Sequence, residues 1–363
     1  MSISTTSPLS LPLAQIISPA SLEDAILDRY LDMGWFRIGQ SVFTTQFLKF
    51  HKKYYNAIWL KVHLSEFEAD KQQQKLLRLN NRFQVNIKKF VLSDAQENLY
   101  QLYKTGIEFQ PSQSLHKLLA LHEANQIFNT YQVEIYDGDN LIACGYFDLG
   151  QASVAGICAF YHPEYKKHSL GKYVILQKML HAKNAGYDFF YPGYLVPEYA
   201  PFEYKRSLSK TAMSFFSIST NQWLPIDQLE QEPWPLEKMR QALTILQNEL
   251  AILGLTTELN HYDFFDAKLI PGFQQQTLLD YPVVLMSADF SHTDYQVSFV
   301  YDIRLQKYHA LLCSHVWFNP ESPNDPGFYA ATLLRQEEIL FSEQDVPNFL
   351  LHFRKQLNKY PAH

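Results

Sequence analysis

The segment from Cys158 to Tyr173 has residue types and spacing that are suited to holding an anion. An apolar run ends there, turns at Pro163, crosses a short basic loop and enters a predicted helix at Ser169. A helix N-terminus that follows a strand directs unpaired backbone N–H groups toward a negatively charged group. The candidate anion-binding residues are Lys167, Ser169, Leu170, Gly171 and Lys172. The alternative is that the glycine serves close helix–strand packing and that the lysines are solvated.

A second segment, Asp137 to Asp148, predicts a hairpin that ends in a carboxylate. Asp137 and Gly138 separate two apolar runs, and glycine supplies the positive φ that a tight hairpin turn requires. Asp148 closes the second strand, where a carboxylate can hold an ammonium group and help it to lose a proton. The alternative role for Asp148 is a cap on the turn at the end of the strand.

A third segment contains Tyr191-Pro-Gly-Tyr194 and, ten residues later, the pair Tyr204-Lys205. The glycine permits a bulge and close approach of a substrate to the backbone. Tyr194 and Tyr204 can donate hydrogen bonds to a developing oxyanion or to a ribose, and Lys205 can meet a phosphate or an acidic side chain. The alternative is an aromatic core strand that is followed by a surface lysine.

The order of these segments resembles the C-terminal domain of the aminoacyl-tRNA–protein transferases, the arginyl- and leucyl-transferases. That family has Ser-Leu-Gly-x-Tyr, Tyr-x-Gly-Tyr and Tyr-Lys in this order, and here they are Ser169 to Tyr173, Tyr191 to Tyr194 and Tyr204-Lys205. The family's Asp-Gly-x-Leu-Ile-Ala-x-Gly-x-x-Asp is similar to Asp137 to Asp148. The resemblance extends over about residues 30–220 and is most specific between 137 and 205.

The resemblance implies an enzyme that moves arginine or leucine from aminoacyl-tRNA to the N-terminal amine of a protein, of the N-degron type. The co-substrate would be aminoacyl-tRNA, with no cofactor, and the partners would be tRNA and protein N-termini. An aminoacyl ester is already activated, so the enzyme has to position an amine and stabilise a tetrahedral oxyanion. The candidate catalytic residues are Asp148, Tyr194, Tyr204 and Lys205.

The N-terminal part resembles the family less closely. Gly34-Trp-Phe-Arg-Ile-Gly39 is similar to the family's Gly-Trp/Phe-Arg-x-x-Gly segment. Family members usually carry a cysteine cluster after it that is able to hold a metal centre, but residues 44–57 contain no cysteine here, so we expect no metal. The family's Lys-Met before Tyr-Lys is replaced by Pro201-Phe-Glu203, so we expect acceptor recognition to differ.

Net charge argues against nucleic-acid binding by the molecule as a whole, because it is −6 over 363 residues. Residues 37–89, however, contain eleven Lys or Arg and three acidic residues, which predicts a local basic face that can meet phosphates. The candidate tRNA-binding residues are Lys52, Lys53, Lys75, Arg78 and Arg82. The alternative is a solvated helix face with lysines at strand edges.

Cysteine usage and hydropathy favour a cytoplasmic protein. Cys144, Cys158 and Cys313 are scattered, which is typical of buried thiols in a reducing compartment. The first twenty residues lack the basic start of a secretory signal, and no apolar run reaches about 18 residues. We therefore expect no membrane partner, and no DNA partner either.

The pattern of elements predicts an α/β (α+β) fold. A hairpin, a third strand over 152–161, the anion-facing loop, a helix to about Gly186 and a strand over 189–194 form the skeleton of a GNAT-like acyltransferase with a splayed mixed sheet. An additional α+β segment follows, in which leucines and a methionine from Leu236 to Leu253 recur at spacings of three and four. The predicted regions are a flexible N-terminus (1–20), a basic α+β region (21–125), the catalytic core (126–222) and a C-terminal region of unknown role (223–363).

Two alternative functions remain open. One is an N-acyltransferase that uses an acyl-CoA such as acetyl-CoA, although a single glycine in the loop counts against it because acetyl-CoA-dependent members usually carry two. The other is a degenerate, non-catalytic scaffold, which the absent cysteines and the extra C-terminal segment make plausible. The loop histidines His162 and His168 are candidates for mutation, with a loop role favoured over that of a general base.

Overall fold

The computed structural model describes residues 11–50, 52–107, 111–122, 125–231, 233–291, 294–322 and 325–357. The strands in these ranges are β1 (Ala14–Ile17), β2 (Phe36–Ile38), β3 (Ser41–Thr45), β4 (Phe47–Phe50), β5 (Lys53–Asn56), β6 (Ile58–His63), β7 (Gln84–Lys89), β8 (Thr130–Asp137), β9 (Asn140–Leu149), β10 (Ser153–Tyr161), β11 (Phe189–Leu195), β12 (Met213–Ser217), β13 (Gln222–Pro225), β14 (Thr257–Tyr262), β15 (Val283–Ser291), β16 (Tyr295–Asp302), β17 (Lys307–Phe318), β18 (Phe328–Tyr329) and β19 (Thr332–Glu343).

The α-helices in the same ranges are α1 (Asp24–Asp32), α2 (Lys71–Asn80), α3 (Asp94–Lys104), α4 (Leu115–Leu118), α5 (Leu170–Asn184), α6 (Ala200–Glu203), α7 (Pro235–Ile252) and α8 (Val346–Leu357). Within the described residues, no helix is long and apolar enough to cross a membrane.

The larger sheet is mixed and, among the described residues, has the strand order β13-β12-β6-β11-β10-β9-β8-β7. Residues 142–149 of β9 are buried on both faces of the sheet, as the nearly continuous apolar sequence of this strand requires. Helices α5 and α2 cover one face, and α3 packs on the opposite face of β9 and β10. The predicted mixed α/β class is therefore confirmed.

Strands β10 and β11 run parallel but separate after three residue pairs. Their pairing covers Ser153 to Ala155 against Phe189 to Tyr191, and α5 makes the crossover between them. Beyond that point β10 bulges against β9 between Gly156 and Cys158, and β11 changes register against β6 before Gly193. A bulge bends a strand, so the two strands diverge and leave a wedge in the sheet. This strand order and splay agree with the expected GNAT-like skeleton.

A second sheet lies in the C-terminal region, with the order β18-β14-β15-β16-β17-β19 among the described residues. Helix α7 packs its buried residues on it, as the spacing of three and four predicts. The β4–β5 hairpin joins this core: Phe47 and Tyr54 are buried among residues of the second sheet, and Lys49 pairs with Asp263 at 2.5 Å. On its other side, Phe50 stacks on Tyr55.

Several local expectations differ from the structure. Residues 1–10 of the predicted flexible N-terminus lie outside the described residues, but Ala14–Ile17 form β1, which pairs with β3. Ser21 has an acidic residue, Asp24, three positions later, a pattern that predicts a helix cap, but α1 begins at Asp24 without a side-chain cap. The sequence of residues 112–125 is also typical of a helix, but among its described residues the helix is limited to Leu115–Leu118, and residues 123–124 lie outside them.

The predicted regions also share elements. Strands β6 and β7 come from the region 21–125, yet they belong to the same sheet as β8 to β11. Residues 222–235 are rich in proline, acidic residues and tryptophan, which predicts a linker, but Gln222–Pro225 form the edge strand β13, and Leu224, Ile226 and Trp234 pack against the core of the larger sheet. The larger sheet therefore crosses the expected boundaries at 126 and 223.

Candidate active site

A cleft opens in the wedge between β10 and β11. It has a volume of about 480 Å³. One wall consists of Ala155 to Phe160 and the other of Pro192 to Tyr194, and aromatic side chains from other elements line the remainder. Ile157 is the bulged residue, without a partner in the register of β9. The cleft thus exposes irregular backbone from both diverging strands to a bound molecule.

A groove at the start of α5 lies beside this cleft. It has a volume of about 380 Å³ and is lined by Lys166, Ser169, Gly171 and Lys172. Tyr103, Ala159 and Tyr204 line both the groove and the cleft, so the two spaces are adjacent. The start of the helix therefore faces open space, as the anion-binding prediction requires.

The local geometry at Ser169 differs from an ordinary N-cap. Its φ is +49°, in the left-handed region, and its hydroxyl makes no capping hydrogen bond. The first N–H groups of a helix have no carbonyl partner within the helix. Without a cap, the N–H groups of the first turn depend on solvent or a ligand.

The anion-binding candidates do not all reach the groove. Lys166 lines it in place of Lys167, whose exposed side chain points elsewhere, and the side chain of Leu170 is fully buried in the core. Only the backbone of Leu170 can therefore contribute. A Cβ at Gly171 would lie 3.4 Å from the ring of Tyr161, so this glycine also allows close packing of helix and strand.

Asp148 is fully buried at the cleft wall. Its Oδ1 accepts hydrogen bonds from Arg37 Nη1 at 3.0 Å and from Thr130 Oγ1 at 2.7 Å. Its Oδ2 is buried and has no hydrogen-bond partner among the described residues. Burial raises the pKa of this carboxyl, and Arg37 and Thr130 oppose the rise. The strand-end cap that was the alternative is absent, and one carboxylate oxygen remains available for a cation.

Lys205 is buried beneath the aromatic wall of the cleft, with 8% of its surface exposed. Its Nζ donates to the carbonyl of Tyr194 at 2.7 Å and lies 5.1 Å from the ring centroid of Phe202. Burial lowers the pKa of Lys205 to about 7. The alternative of a surface lysine is therefore wrong, because the 3₁₀-helical turn at Tyr204–Ser207 folds this side chain inward.

Tyr194 and Tyr204 both line the cleft. The ring of Tyr194 stacks on Phe202 and meets Trp59 edge-on at 5.0 Å. Burial raises the pKa of Tyr194, and it raises the pKa of Tyr204 to about 12. Both hydroxyls therefore stay protonated near neutral pH and remain hydrogen-bond donors.

Arg37 and Lys178 are further buried cations near the cleft that motif reasoning did not assign to the site. Arg37 also donates to the carbonyl of Gly39 and lies 4.4 Å from the ring centroid of Phe128. Lys178 donates to the carbonyls of Tyr146 and Cys158, at 2.8 and 2.6 Å, where β10 bulges. Burial lowers the pKa of Lys178 to about 8. A lysine within an otherwise apolar helix face was the available sequence signal.

The cysteines and loop histidines lack the features of nucleophiles or bases. Burial raises the pKa of the Cys158 thiol at the cleft wall, and Cys144 and Cys313 are buried. His168 is buried against Phe83, and burial lowers its pKa. Its two ring nitrogens have no described hydrogen-bond partner. The described residues contain no group of three or more His, Cys, Asp or Glu that could hold a metal ion.

The basic segment is largely neutralised by acidic residues from outside it. Seven of its eleven cations form ion pairs: Arg37, Lys49, Lys52, Lys53, Lys61, Arg82 and Lys88. Of the proposed tRNA contacts, Lys75 and Arg78 are exposed on α2, which packs on α5, and Arg82 follows that helix. Lys52 and Lys53 lie instead at the β4–β5 hairpin. The structure thus divides these five residues into two groups.

Comparison with known proteins agrees with the motifs of the wedge. Residues 78–214 match the family described as arginine-tRNA-protein transferase, C terminus. An aspartate/glutamate leucyltransferase from Leptospira interrogans is 22% identical over 220 residues, which cover 59% of this chain and 83% of the relative. One from Shewanella sp. strain MR-4 is 26% identical over 200 residues, with 53% and 79% covered.

A solved structure of a tandem GNAT protein from the clavulanic acid biosynthesis pathway is 11% identical, covers 54% of this chain and 58% of its own, and superposes with a TM-score of 0.29. That score is too low to support a fold assignment, which depends here on the strand order and the splay. The family match, in contrast, spans the residues that line the groove and those that line the cleft except Phe36, Arg37, Phe43 and Trp59. Over this part of the chain, the protein is therefore similar to the aminoacyl-tRNA–protein transferases, a family of enzymes.

Proposed function

We propose that this chain transfers an aminoacyl group from aminoacyl-tRNA to the N-terminal amine of a protein. The observation that supports it most directly is that the groove at the start of α5 lies beside the cleft between β10 and β11 and shares three lining residues with it. Such an arrangement suits a substrate that has phosphates at one end and a reactive ester at the other. The 3′ end of an aminoacyl-tRNA has this form.

The groove would hold the terminal phosphates of the tRNA. Lys166 and Lys172 are exposed at its edge, and the uncapped first turn of α5 adds backbone N–H donors. Lys75, Arg78 and Arg82 lie on or just after α2, beside α5, and would extend the contact along the acceptor arm. We assign Lys52 and Lys53 to a separate contact at the hairpin, which is weakened by their pairing with Asp325 and Glu198.

Asp148 would hold the α-ammonium of the acceptor. Its unpartnered Oδ2 offers a fixed anion in a dry site, where a charged pair interacts more strongly than in water. Arg37 holds the other oxygen, so the carboxylate cannot rotate freely. In this arrangement Asp148 orients the acceptor's amine and remains ionised.

Tyr194 and Tyr204 would stabilise the tetrahedral intermediate. Donors aimed at the position where negative charge develops lower the barrier because they need no reorganisation during the reaction. Both hydroxyls are protonated near neutral pH and belong to the cleft. Peptide-bond formation from an ester then needs orientation and oxyanion stabilisation from the protein.

Leucine is the donor amino acid that the cleft favours. Phe36, Trp59, Phe160 and Ile157 offer apolar surface, and Asp148 is the sole carboxylate among the described residues that line the cleft. Arg37 already pairs with that carboxylate, so little negative charge remains in the cleft to neutralise an arginyl side chain. The matched relatives are named aspartate/glutamate leucyltransferases, so we propose acceptors with an acidic first residue, as in an N-degron.

The direct test is transfer of radiolabelled amino acids by the purified chain. Leucyl-tRNA and arginyl-tRNA would each be incubated with peptides that begin with Asp, Glu, Arg or Met but are otherwise identical. We expect label from leucyl-tRNA to enter the Asp and Glu peptides, with an amide at the α-amine verified by fragmentation mass spectrometry. Free leucine without tRNA is the matched control.

Two results would contradict the proposal in different ways. Transfer from arginyl-tRNA alone would refute the donor assignment but not the reaction class. Acetylation of the same peptides by acetyl-CoA, with no transfer from any aminoacyl-tRNA, would establish the acyl-CoA-dependent alternative. Absence of both activities from folded protein would favour the non-catalytic scaffold.

A further inference from the structure

Lys205 occupies an unusual environment for a lysine. The ammonium or amine group donates to one carbonyl, that of Tyr194, and has aromatic rings on its other sides, with centroids at 5.1 and 5.4 Å. No carboxylate among the described residues lies within 4.0 Å of it. Neighbouring Arg206, by contrast, pairs with both Glu203 and Glu230. Burial of a cation without a counter-charge favours its neutral form.

The backbone around β11 creates this position. Gly193 has φ of +82°, and a Cβ there would lie 3.3 Å from Lys205 Nζ. Glycine adopts this conformation without steric cost and leaves room for the amine. The following carbonyl, that of Tyr194, accepts the hydrogen bond from Nζ. The amine is therefore held at a fixed point on the cleft wall.

Other ionisable groups face Lys205 from the surrounding elements. Tyr194 on β11 and Tyr204 in the preceding turn are protonated donors, and Cys158 on β10 is a neutral thiol. Lys178 on α5 lines the same small cavity of about 70 Å³ beneath the cleft. Each of these groups is neutral or cationic at neutral pH, and none supplies an anion that would hold a proton on Lys205.

We propose that Lys205 accepts the proton that the acceptor's α-ammonium must lose before it attacks the ester, an inference that depends on the proposed function. Nζ takes the proton, and the free amine forms a C–N bond with the ester carbonyl carbon. The tetrahedral intermediate collapses, and the bond from that carbon to the ribose oxygen breaks. The attacking nitrogen still carries one proton too many in the intermediate, and this proton passes to the departing ribose oxygen, while Nζ releases the first proton to solvent. An α-ammonium and an ester thereby give an amide, an alcohol and one proton.

Chemical matching supports Lys205 over the other groups at the site. Its pKa of about 7 is close to that of an α-amine, about 7.7 to 8.0, so a proton can pass in either direction at little cost. Asp148 is less suited to the task because its Oδ1 already accepts hydrogen bonds from Arg37 and Thr130. Lys178 is occupied by two carbonyls and holds the bulge of β10.

The test separates a proton acceptor from a simple positive charge. Lys205→Arg keeps the charge but cannot lose it near neutral pH. We expect single-turnover transfer at saturating leucyl-tRNA to fall by about tenfold at pH 7 and to recover as the pH is raised to about 9.5, because the acceptor's α-ammonium then loses its proton to solvent. Apparent affinities for tRNA and peptide should change by less than about threefold. Lys210→Met, at an exposed lysine outside the cleft, is the matched control.

If Lys205→Arg does not fold, Lys205→Met, which matches the side chain in length, is used in the same assay. Folding is checked by circular dichroism and thermal unfolding. A folded variant that keeps a third or more of the wild-type rate would overturn the inference, while the proposed function would stand. If wild-type protein transfers no aminoacyl group at all, the proposed function fails and the inference fails with it.

Competitive labelling of amines gives a readout that a structural role would not produce. Lysines are labelled briefly with an amine-reactive reagent at pH values from about 6 to 10 and quantified by mass spectrometry. We expect the labelling of Lys205, relative to its final extent, to rise through about pH 7, with the exposed Lys210 quantified alongside as a reference. Labelling of Lys205 that follows Lys210 would overturn the inference.

Discussion

Arg37 Nη1 lies 3.0 Å from Asp148 Oδ1, and both side chains are almost fully buried. The pair joins β2, near the N-terminus, to the end of β9 at the cleft. Thr130 donates a hydrogen bond to the same carboxylate oxygen, so the buried Oδ2 is left without a partner among the described residues. The orientation of the proposed ammonium anchor therefore depends on a residue 111 positions earlier in the sequence.

Loss of Arg37 should destabilise the fold through Asp148. In Arg37→Met the carboxylate is buried without its cation, and we expect the free energy of unfolding to fall by about 3–5 kcal/mol. Arg37→Met combined with Asp148→Asn should lose less, because no buried charge remains. Urea unfolding of the two single variants and the double variant measures this coupling. Strict additivity of the two single losses would show that the pair is not coupled.

Replacement of Lys205 should stabilise the protein in a pH-dependent manner. Burial lowers the pKa of Lys205 from 10.5 to about 7, so the folded state releases a proton that the unfolded state keeps between these values. The destabilisation by Lys205 is therefore complete below about pH 7 and disappears toward pH 10.5. We expect Lys205→Met to gain a few kcal/mol at most at pH 6.5 and about none at pH 10.5.

Urea unfolding of Lys205→Met and wild type at both pH values checks this expectation. Lys210→Met is again the control, since that lysine is exposed. A stability difference that grows as pH rises would contradict the assigned direction of the pKa shift.

Gly193 and Gly254 allow backbone strain to be separated from an effect on the site. Both have φ of +82°, but a Cβ at Gly254 would have no neighbour within 4 Å, whereas at Gly193 it would crowd Lys205 Nζ. Each alanine variant should lose about 1–2 kcal/mol from left-handed backbone strain. The transfer rate should fall in Gly193→Ala alone. Equal rates in the two variants would show that the bulge does not position Lys205.

The groove lysines should contribute to tRNA binding through charge. Lys166→Met/Lys172→Met removes the two cations at the groove edge, and we expect KM for aminoacyl-tRNA to rise about tenfold at low salt. The slope of log KM against log salt should fall by about 1.4, as expected for two contacts with a single-stranded end. Lys167→Met, whose side chain lies outside the groove, should change neither quantity. An equal effect from Lys167→Met would reassign the contact.

Regular elements with a strong pattern could be predicted from the sequence. The Asp137-Gly138 turn, the run in β9 and the spacing of three and four in α7 each correspond to an observed element. The spacing of apolar residues within one strand or helix indicates whether one or both of its faces are buried, and this can be read without knowledge of distant contacts. Strand β13 was missed because proline, tryptophan and acidic residues near it are typical of a linker, yet edge strands tolerate them.

The sequence could predict which residues line the site, but it could not predict the burial and contacts of their side chains. The motifs placed Asp148, Tyr194, Tyr204 and Lys205 at one cleft, and the structure confirms that all four line it. The sequence contains no local signal that Arg37 would reach Asp148 or that Lys205 would be buried, because both depend on contacts between distant segments. The positive φ of Ser169 could not be predicted either, because a serine before a helix normally predicts an N-cap in an extended conformation.

The β4–β5 hairpin has a practical consequence for anyone who shortens this protein. Cutting the chain before α7 would strip the apolar cover from Phe47 and Tyr54 and remove the acid that neutralises Lys49. In the exposed hairpin, Phe50 and Tyr55 make aromatic contacts with Tyr199, which precedes the turn that holds Lys205. A truncated version that ends at the family-matched residues would therefore lose packing support for the cleft wall that carries Lys205. It would also expose apolar surface that promotes aggregation.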